Sequence, residues 1–365
     1  MAIFDGGKPL KMKQSENHAL HFACPENSRM ELFRVSLSTA LKNGKLRYHM
    51  RHCDDHGVNN FLLKIISLVI SLYAAASLAA PENPTTAGAA NPVVLVAGDV
   101  AQCNVRGAQL TADLIRRMPE ATVLAVGDLA YENGSPKDFA RCYDPSWGKF
   151  KDRTWPAPGN HEYGTSGATG YFTYFGSRAG APGKGYYSVE IGQWHIVALN
   201  SNIDADADSA QVDWLRKDLA AHRASCILAF WHHPRYSSGA HGSHRRVQAL
   251  WETLHEHGAS IVIAGHDHHY ERFAPLDAQG RQTATGGIRS FVVGTGGARL
   301  YNFGLRGAHS AAWQGETWGV LKLTLHADSY DWEFLSAQPG TFQDKGSSPC
   351  ANKLAPEANA VALER

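Results

Sequence analysis

Residues 122–131 read TVLAVGDLAY and give the clearest indication of the fold class. An unbroken apolar run, rich in β-branched side chains, ends in glycine and aspartate. Such runs are typical of strands buried on both faces, whereas half-exposed strands alternate apolar and polar residues. Four further runs have the same form and end in polar residues, namely 92–97, 194–199, 226–231 and 260–264.

Helical patterns lie between these runs. Apolar side chains recur at spacings of three and four over residues 109–117, 210–222 and 247–257. Strands that alternate with helices indicate a layered α/β fold. Later segments read as strands joined by turns, which predicts a second, partly antiparallel sheet containing residues 290–293, 319–325 and 330–335.

The N-terminal region differs from the rest. Residues 61–80 are apolar, follow basic residues and end in small side chains, a signal-peptide pattern that stands too far from residue 1. Three readings stay open: a chain that starts at Met50 and is cleaved after Ala79, a signal anchor, and a buried helix. We expect an exported protein, with a membrane anchor at 61–80 as the alternative.

The domain boundaries follow from these patterns. We predict an N-terminal extension over 1–80, a flexible linker over 81–91, a catalytic domain over 92–350 and a C-terminal tail over 351–365. The formal net charge of +1 provides no basic field for a nucleic-acid partner. The sequence does not determine the oligomeric state.

Polar side chains with metal-ligating chemistry collect at the ends of the apolar runs. Five motifs occur in order: Gly98-Asp99, Gly127-Asp128-Leu129-Ala130-Tyr131, Gly159-Asn160-His161-Glu162, His232-His233-Pro234 and Gly265-His266-Asp267-His268. Each motif alone is weak, but the ordered set is specific. Imidazole, amide and carboxylate ligands suit Zn, Fe or Mn, and two such ions can clamp a phosphoryl group. We expect each glycine before a ligand to allow a tight turn.

The set resembles the calcineurin-like metallophosphoesterase superfamily. Ala101 stands where many branches carry a histidine, and a tyrosine follows Asp128 by three positions, as in purple acid phosphatases. The chain is most similar to the compact bacterial members of that family. The resemblance implies a four-layer α/β/β/α sandwich with two mixed sheets.

The resemblance also implies two metal ions bridged by Asp128. The first ion, Fe(III), would take Asp99, Asp128, Tyr131 and His268. The second ion, Fe(II), Zn or Mn, would take Asp128, Asn160, His232 and His266. We expect a phosphatase that hydrolyses small phosphomonoesters by attack of a metal-bound hydroxide. The alternatives are a phosphodiesterase acting on nucleotides or phospholipid headgroups, and a non-catalytic exported binding module.

Three further histidines lie beside the ligands. Asn160 and His161 are candidates for contacting the substrate phosphate, and His161 or His241 could protonate the leaving alcohol. His233 either supports the ligands from behind or faces substrate. His195, inside a strand-like run, is interpreted as structural, and His257 as part of an exposed helix end.

Four cysteines follow the apolar segment, and no Cys-x-x-Cys pair exists. Cys103 and Cys142 leave neighbouring strand ends, whereas Cys226 begins a strand and Cys350 lies near the C-terminus. Four cysteines allow three pairings. We predict the disulfides Cys103–Cys142 and Cys226–Cys350.

Overall fold

The computed structural model describes residues 91–351, except 223, 225, 302–304 and 341, together with four short strands nearer the N-terminus. Those strands form two antiparallel pairs, Phe4–Asp5 with Lys8–Pro9 and Ala19–Ala23 with Leu32–Ser36. The chain divides into two compact units, Met1–Thr85 and Thr86–Arg365. The apolar segment 61–80, nearly all of the linker and the tail after residue 351 lie outside the described residues. Among those described, no helix has the length and apolar character to cross a bilayer.

The described residues of the second unit form thirteen strands. They are β1 Val93–Ala97, β2 Thr122–Val126, β3 Thr154–Ala157, β4 Tyr187–Ile191, β5 Trp194–Ala198, β6 Cys226–Phe230, β7 Ile261–Ala264, β8 Tyr270–Phe273, β9 Arg289–Val293, β10 Ser310–Gln314, β11 Gly319–Leu325, β12 Ser329–Ser336 and β13 Lys345–Pro349. The main helices are α1 Gly107–Arg116, α2 Thr169–Phe175, α3 Ala210–Ala221 and α4 Gln248–Glu256. Short helical segments cover Pro136–Asp138, Phe139–Tyr143, Trp147–Arg153, Glu162–Gly164, Ser166–Ala168, Gly176–Ala179 and Arg245–Val247.

The strands form two mixed sheets, as the fold class predicts. One sheet has the order β13-β12-β11-β1-β2-β3, and the other has the order β10-β8-β9-β7-β6-β5-β4. The strands β1, β2 and β3 are parallel, as are β5, β6, β7 and β9. Antiparallel strands complete both sheets on their outer sides.

The prediction for the later strands is wrong in its grouping. Strand β9 joins the seven-stranded sheet, in parallel beside β7, whereas β11 and β12 extend the six-stranded sheet next to β1. The five apolar runs likewise divide between the two sheets. An apolar run shows that a strand is buried on both faces, but it carries no information about which strand lies beside it.

Burial explains why these runs are continuously apolar. All five residues of β6 are buried. Leu228 belongs to the core shared by both sheets. Its neighbour Ile227 belongs to a second core, together with Leu215 of α3 and Leu250 of α4. Because side chains alternate along a strand, one face of the sheet contacts the other sheet and the opposite face contacts helices. Helix α1 packs on the outer side of the six-stranded sheet, against β11. The layer order is therefore α/β/β/α.

Both predicted disulfides are present. Cys103 and Cys142 have Cα atoms 5.0 Å apart, and Cys226 and Cys350 have Cα atoms 5.4 Å apart. Cys350 follows β13, the last strand of the six-stranded sheet, whereas Cys226 begins β6 of the other sheet. The second bridge therefore joins the two sheets covalently.

We predict that Cys226→Ala/Cys350→Ala lowers the free energy of unfolding by about 4–5 kcal/mol, because this bridge closes a long loop in the unfolded chain. The sequence separation is 124, against 39 for the other bridge. The matched variant Cys103→Ala/Cys142→Ala should therefore lose about 1 kcal/mol less. Denaturant titration without reductant measures both values. Equal losses in the two variants would contradict the loop-length argument.

Candidate metal centre

The site forms where strand ends from both sheets meet. Strands β1 and β2 of the six-stranded sheet lead directly to Asp99 and Asp128, and β6 and β7 of the seven-stranded sheet lead to His232 and His266. The loop after β3 supplies Asn160. Ligands in open α/β sheets bind beyond the carboxyl ends of the strands. Here two sheets contribute such ends to one site.

Three of these residues have an unusual backbone conformation. Asp99, Asp128 and His266 have φ values of 58°, 52° and 73°. Residues other than glycine rarely adopt this left-handed conformation, and it costs about 1–3 kcal/mol where the surrounding structure imposes it. This conformation occurs at three of the strand ends that meet at the site. The direction in which each side chain must point, rather than the preferred backbone conformation, therefore determines these turns.

The glycines before the ligands serve two different purposes. Gly127 has a φ of 87° and turns the chain, as expected. Gly265 is required for another reason, because a Cβ atom there would lie 2.6 Å from Asp99 Oδ2. At Gly159, a Cβ would overlap Asp128 Oδ1. The expectation of a tight turn is therefore wrong for these last two glycines, which let buried carboxylates approach the backbone.

Asp99, Tyr131 and His268 form one cluster. The Tyr131 hydroxyl lies 3.2 Å from Asp99 Oδ1 and 3.0 Å from His268 Nε2. His268 Nε2 lies 3.3 Å from Asp99 Oδ1. Asp99 is fully buried and Tyr131 nearly so. Three potential ligand atoms thus converge with no intervening side chain.

Asp128, Asn160, His232 and His266 form a second cluster. His232 Nε2 lies 3.0 Å from Asp128 Oδ2, 3.1 Å from Asn160 Oδ1 and 3.2 Å from His266 Nδ1. One atom each from Asp128, His232 and His266 lies within 4.8 Å of the others, so the three side chains could hold one metal ion. The two clusters are joined because Asp99 Oδ2 accepts the backbone N–H of His266, at 2.8 Å.

The hydrogen bonds of the imidazoles fit metal binding. His232 Nδ1 lies 3.0 Å from the carbonyl oxygen of Val126, and His268 Nδ1 lies 2.6 Å from that of Arg299. A carbonyl only accepts, so each Nδ1 carries a hydrogen and each Nε2 points to its cluster, where the neutral imidazole offers a lone pair. Ligating histidines are oriented in this way in metal sites. All seven side chains that were predicted as ligands are brought together.

Charge coupling within the second cluster is strong. Burial raises the pKa of Asp128, but the charges of His232 and His161 and the hydrogen bonds from both residues together outweigh burial and lower it to about 2. Burial lowers the pKa of His232, but the charges of Asp128 and Asp99 and the hydrogen bonds to Asp128 and Val126 together outweigh burial and raise it to about 9. Burial and the His232 charge lower the pKa of His266. A cation that binds to Nε2 of His232 must therefore displace the proton that balances Asp128.

The candidate substrate residues lie at different depths. Asn160 and His241 are exposed, and the side chain of His161 is 30% exposed. His161 Nδ1 lies 2.5 Å from the carbonyl oxygen of Glu132, and its Nε2 lies 3.9 Å from Asp128 Oδ2. His233 is only 5% exposed and its Nδ1 lies 2.8 Å from Ser201 Oγ. It packs behind His266 rather than at the mouth of the site.

Glu162 is a functional residue to which the sequence analysis assigned no role. It is fully buried, and its carboxylate accepts the backbone N–H groups of Asp128, Leu129, Ala130 and Gly159 at 2.8–3.2 Å. Burial and the Asp128 charge raise its pKa to about 7, while the bond from Gly159 lowers it. Its position in the third motif, two residues after Asn160, was the available signal.

Asp267 was also missed, although it stands between two ligands. Its carboxylate accepts the hydroxyl of Ser237 and the backbone N–H of His241, at 2.5 and 2.9 Å. His266 and His268 thus reach the clusters, while the residue between them holds the loop that carries His241.

Tyr301 lies outside every motif, yet its hydroxyl is 3.1 Å from His241 Nε2 and its ring stacks on His268.

The segment after β9 packs against the first motif: Gly296 N–H donates to the carbonyl of Gly98, and Ala298 N–H donates to that of Asp99. A Cβ atom on Gly294 would lie 2.8 Å from Asp99 Oδ2. The glycines of this segment therefore allow it to close the floor of the site.

We predict that Glu162→Gln lowers metal affinity about 10–100-fold and destabilises the fold by about 1–3 kcal/mol, because the amide replaces one acceptor oxygen by a donor that faces backbone N–H groups. Metal competition titration and thermal unfolding measure the two effects. The exposed neighbour Glu132→Gln is the control and should leave both unchanged. Full metal affinity in Glu162→Gln would contradict this role.

Comparison with known proteins places this site in a family. Residues 90–270 match the family model of the calcineurin-like phosphoesterases. The chain is 32% identical over 198 residues to Purple acid phosphatase 15 of Arabidopsis thaliana, covering 44% of this chain and 37% of that protein. It is 29% identical over 227 residues to Purple acid phosphatase 18 of the same plant, covering 56% and 49%. The chain thus spans less than half the length of these relatives.

Solved structures share the fold. Purple acid phosphatase PPD1 from yellow lupin, Lupinus luteus, superposes with a TM-score of 0.62 at 20% identity, over 74% of this chain and 57% of that one. GAP50, the anchor in the inner membrane complex of Plasmodium, superposes with a TM-score of 0.58 at 13% identity, over 72% and 89%. By the matched family model, the chain carries a calcineurin-like phosphoesterase domain over residues 90–270, and within that family it resembles the purple acid phosphatases.

Proposed function

We propose that the protein is a metal-dependent phosphatase that hydrolyses small phosphomonoesters. The observation that carries this proposal is the arrangement of the site. Two largely buried clusters of metal-ligating atoms adjoin a mouth at which Asn160, His161 and His241 are accessible. A centre of this kind can draw a phosphate to its open side while most of its ligands stay out of solvent.

The ligand sets follow the two clusters. Asp99, Tyr131 and His268 would hold the first ion, and Asn160, His232 and His266 the second. Asp128 would bridge them, which is supported by its central charge: its carboxylate acts on the pKa of Tyr131, His232 and His268 alike. When bound, two such ions activate water and neutralise charge on a phosphoryl group.

The residues at the mouth would position the ester and move the proton. His161 is anchored through Nδ1 by the Glu132 carbonyl, so its Nε2 faces the space beside Asp128. It would stabilise a phosphoryl oxygen. His241 is held through its backbone by Asp267 and through its ring by Tyr301. It would donate a proton to the departing alcohol, since a protonated imidazole can act as a general acid.

Tyr131 favours iron at the first site. Burial raises the pKa of its phenol well above 10, and the Asp99 and Asp128 charges raise it further. Only a cation of high charge can hold the phenolate form in these surroundings. We therefore propose Fe(III) at the first site and Fe(II), Zn or Mn at the second.

Export is part of the proposal. Two disulfides join distant parts of the described fold, and such bonds persist in oxidising compartments. The apolar segment 61–80 would direct the chain out of the cytoplasm. If it stays uncleaved, it would be the membrane contact.

We predict that Asp128→Asn lowers activity more than about 100-fold and reduces the content of both metals, because one carboxylate serves both ions. Metal analysis and a panel of phosphomonoesters and phosphodiesters from pH 4 to 10 measure the two effects. Asp113→Asn, on the exposed side of α1, is the control. Two retained ions would contradict the bridging role, and a wild-type protein faster on diesters would contradict the monoester assignment.

We also predict that Tyr131→Phe abolishes the visible absorption of the iron-loaded protein, because that band requires a phenolate bound to Fe(III). Circular dichroism should show an unchanged fold. Tyr301→Phe is the matched control, since Tyr301 stacks on His268 without belonging to the ligand set. A colourless iron-loaded wild type would exclude iron–tyrosinate ligation while leaving the phosphatase proposal open to another metal.

A further inference from the structure

We propose a third cation site, remote from the catalytic clusters, in which Glu190, His195 and His222 bind a divalent transition metal such as Zn²⁺. His195 is the second residue of β5, at the amino end of that strand. The catalytic clusters lie beyond the carboxyl ends of the parallel strands β6 and β7. The third site therefore lies at the opposite end of the seven-stranded sheet.

The fold brings the three ligands together from different elements. Glu190 and His195 stand directly opposite each other in the antiparallel pair β4–β5, and Glu190 Oε1 lies 2.6 Å from His195 Nδ1. His222 directly follows α3, and the centroid of its ring lies 4.5 Å from that of the His195 ring. One ligand atom from each residue lies within 4.8 Å of the other two.

Asp218 prepares His195 for this role. Its Oδ2 lies 2.7 Å from His195 Nε2, and its Oδ1 accepts the hydroxyl of Ser188 at 2.8 Å. With the hydrogen on Nε2, His195 presents the Nδ1 lone pair toward the Glu190 carboxylate. Two electron-rich groups at that distance need a proton or a cation between them. A carboxylate behind a histidine is also the usual support of a metal ligand.

His222 is prepared in the same way. Its Nδ1 donates to the backbone carbonyl of Asp218, at 2.8 Å, so Nε2 carries the free lone pair. The two rings are stacked, with planes 17° apart. Because parallel rings cannot both point at one ion, binding requires rotation of the His222 side chain, which is 46% exposed.

The donor set selects the class of cation. Two imidazoles and one carboxylate, with room for water beside the half-exposed Glu190, match the ligands and open position of a zinc site. Magnesium and calcium prefer oxygen ligands alone. The ion would fasten the edge strand β4 to the C-terminal end of α3, and an ion that binds only the folded chain raises its stability.

The test uses protein whose catalytic centre has first been loaded with metal. Equilibrium dialysis against Zn²⁺, followed by metal analysis, should show one ion fewer per chain in His222→Ala and in Glu190→Gln than in the wild type. Added Zn²⁺ should raise the Tm of the wild type and leave the Tm of both variants unchanged. Both substituted side chains are about half exposed, so the variants are expected to fold.

His257→Ala is the matched control. His257 also ends a helix and donates through Nδ1 to the carbonyl four residues earlier, at 2.9 Å, but it belongs to no metal-capable group among the described residues. It should bind as much zinc as the wild type. Equal zinc content in His222→Ala and the wild type would overturn the proposal, whatever the outcome of the catalytic tests.

Discussion

The buried carboxylate of Glu162 is the interaction on which the rest of the site depends. It accepts backbone N–H groups from the loop after β2 and from the loop after β3, so two strand ends are held by one side chain. A buried carboxylate needs such donors, and buried N–H groups need an acceptor. The interaction satisfies both requirements at once. It also determines the backbone positions of Asp128 and of the loop that carries Asn160, and hence the point at which the two side chains can converge.

The rest of the centre shows what convergence demands of the backbone. Asp99, Asp128 and His266 adopt left-handed conformations, and Gly159 and Gly265 leave room for carboxylates that touch the main chain. These features disfavour folding locally, so the surrounding core must offset them. Two sheets that share one core provide the necessary rigidity, and the Cys226–Cys350 bridge joins those sheets at the far end. Preorganisation of a charged site therefore depends on packing well away from it.

The two histidine-rich regions follow one chemical rule. In the two clusters of candidate metal ligands, backbone carbonyls bind Nδ1 of His232 and His268 and leave Nε2 for a metal ion. At the opposite end of the sheet, Asp218 does the same for His195. His195 was interpreted as structural from its place in a strand, and the sequence offered no sign of Glu190 or His222 beside it. Cross-strand pairing and the end of α3 create that neighbourhood.

Local patterns in the sequence predicted eight of the thirteen strands in the described part of the second unit, three of its four main helices, the motifs that carry the candidate ligands, and the cysteine pairs. Apolar runs and the motifs that follow them are local patterns, and the chemistry of Asp, His and Tyr is independent of the fold. The division of the runs between two sheets, the burial of His233, and the contacts of Glu162, Asp267 and Tyr301 around the site appear only in the tertiary structure. The physical reason is that strand neighbours and hydrogen-bond partners are chosen by long-range packing, which leaves no periodic trace along the chain.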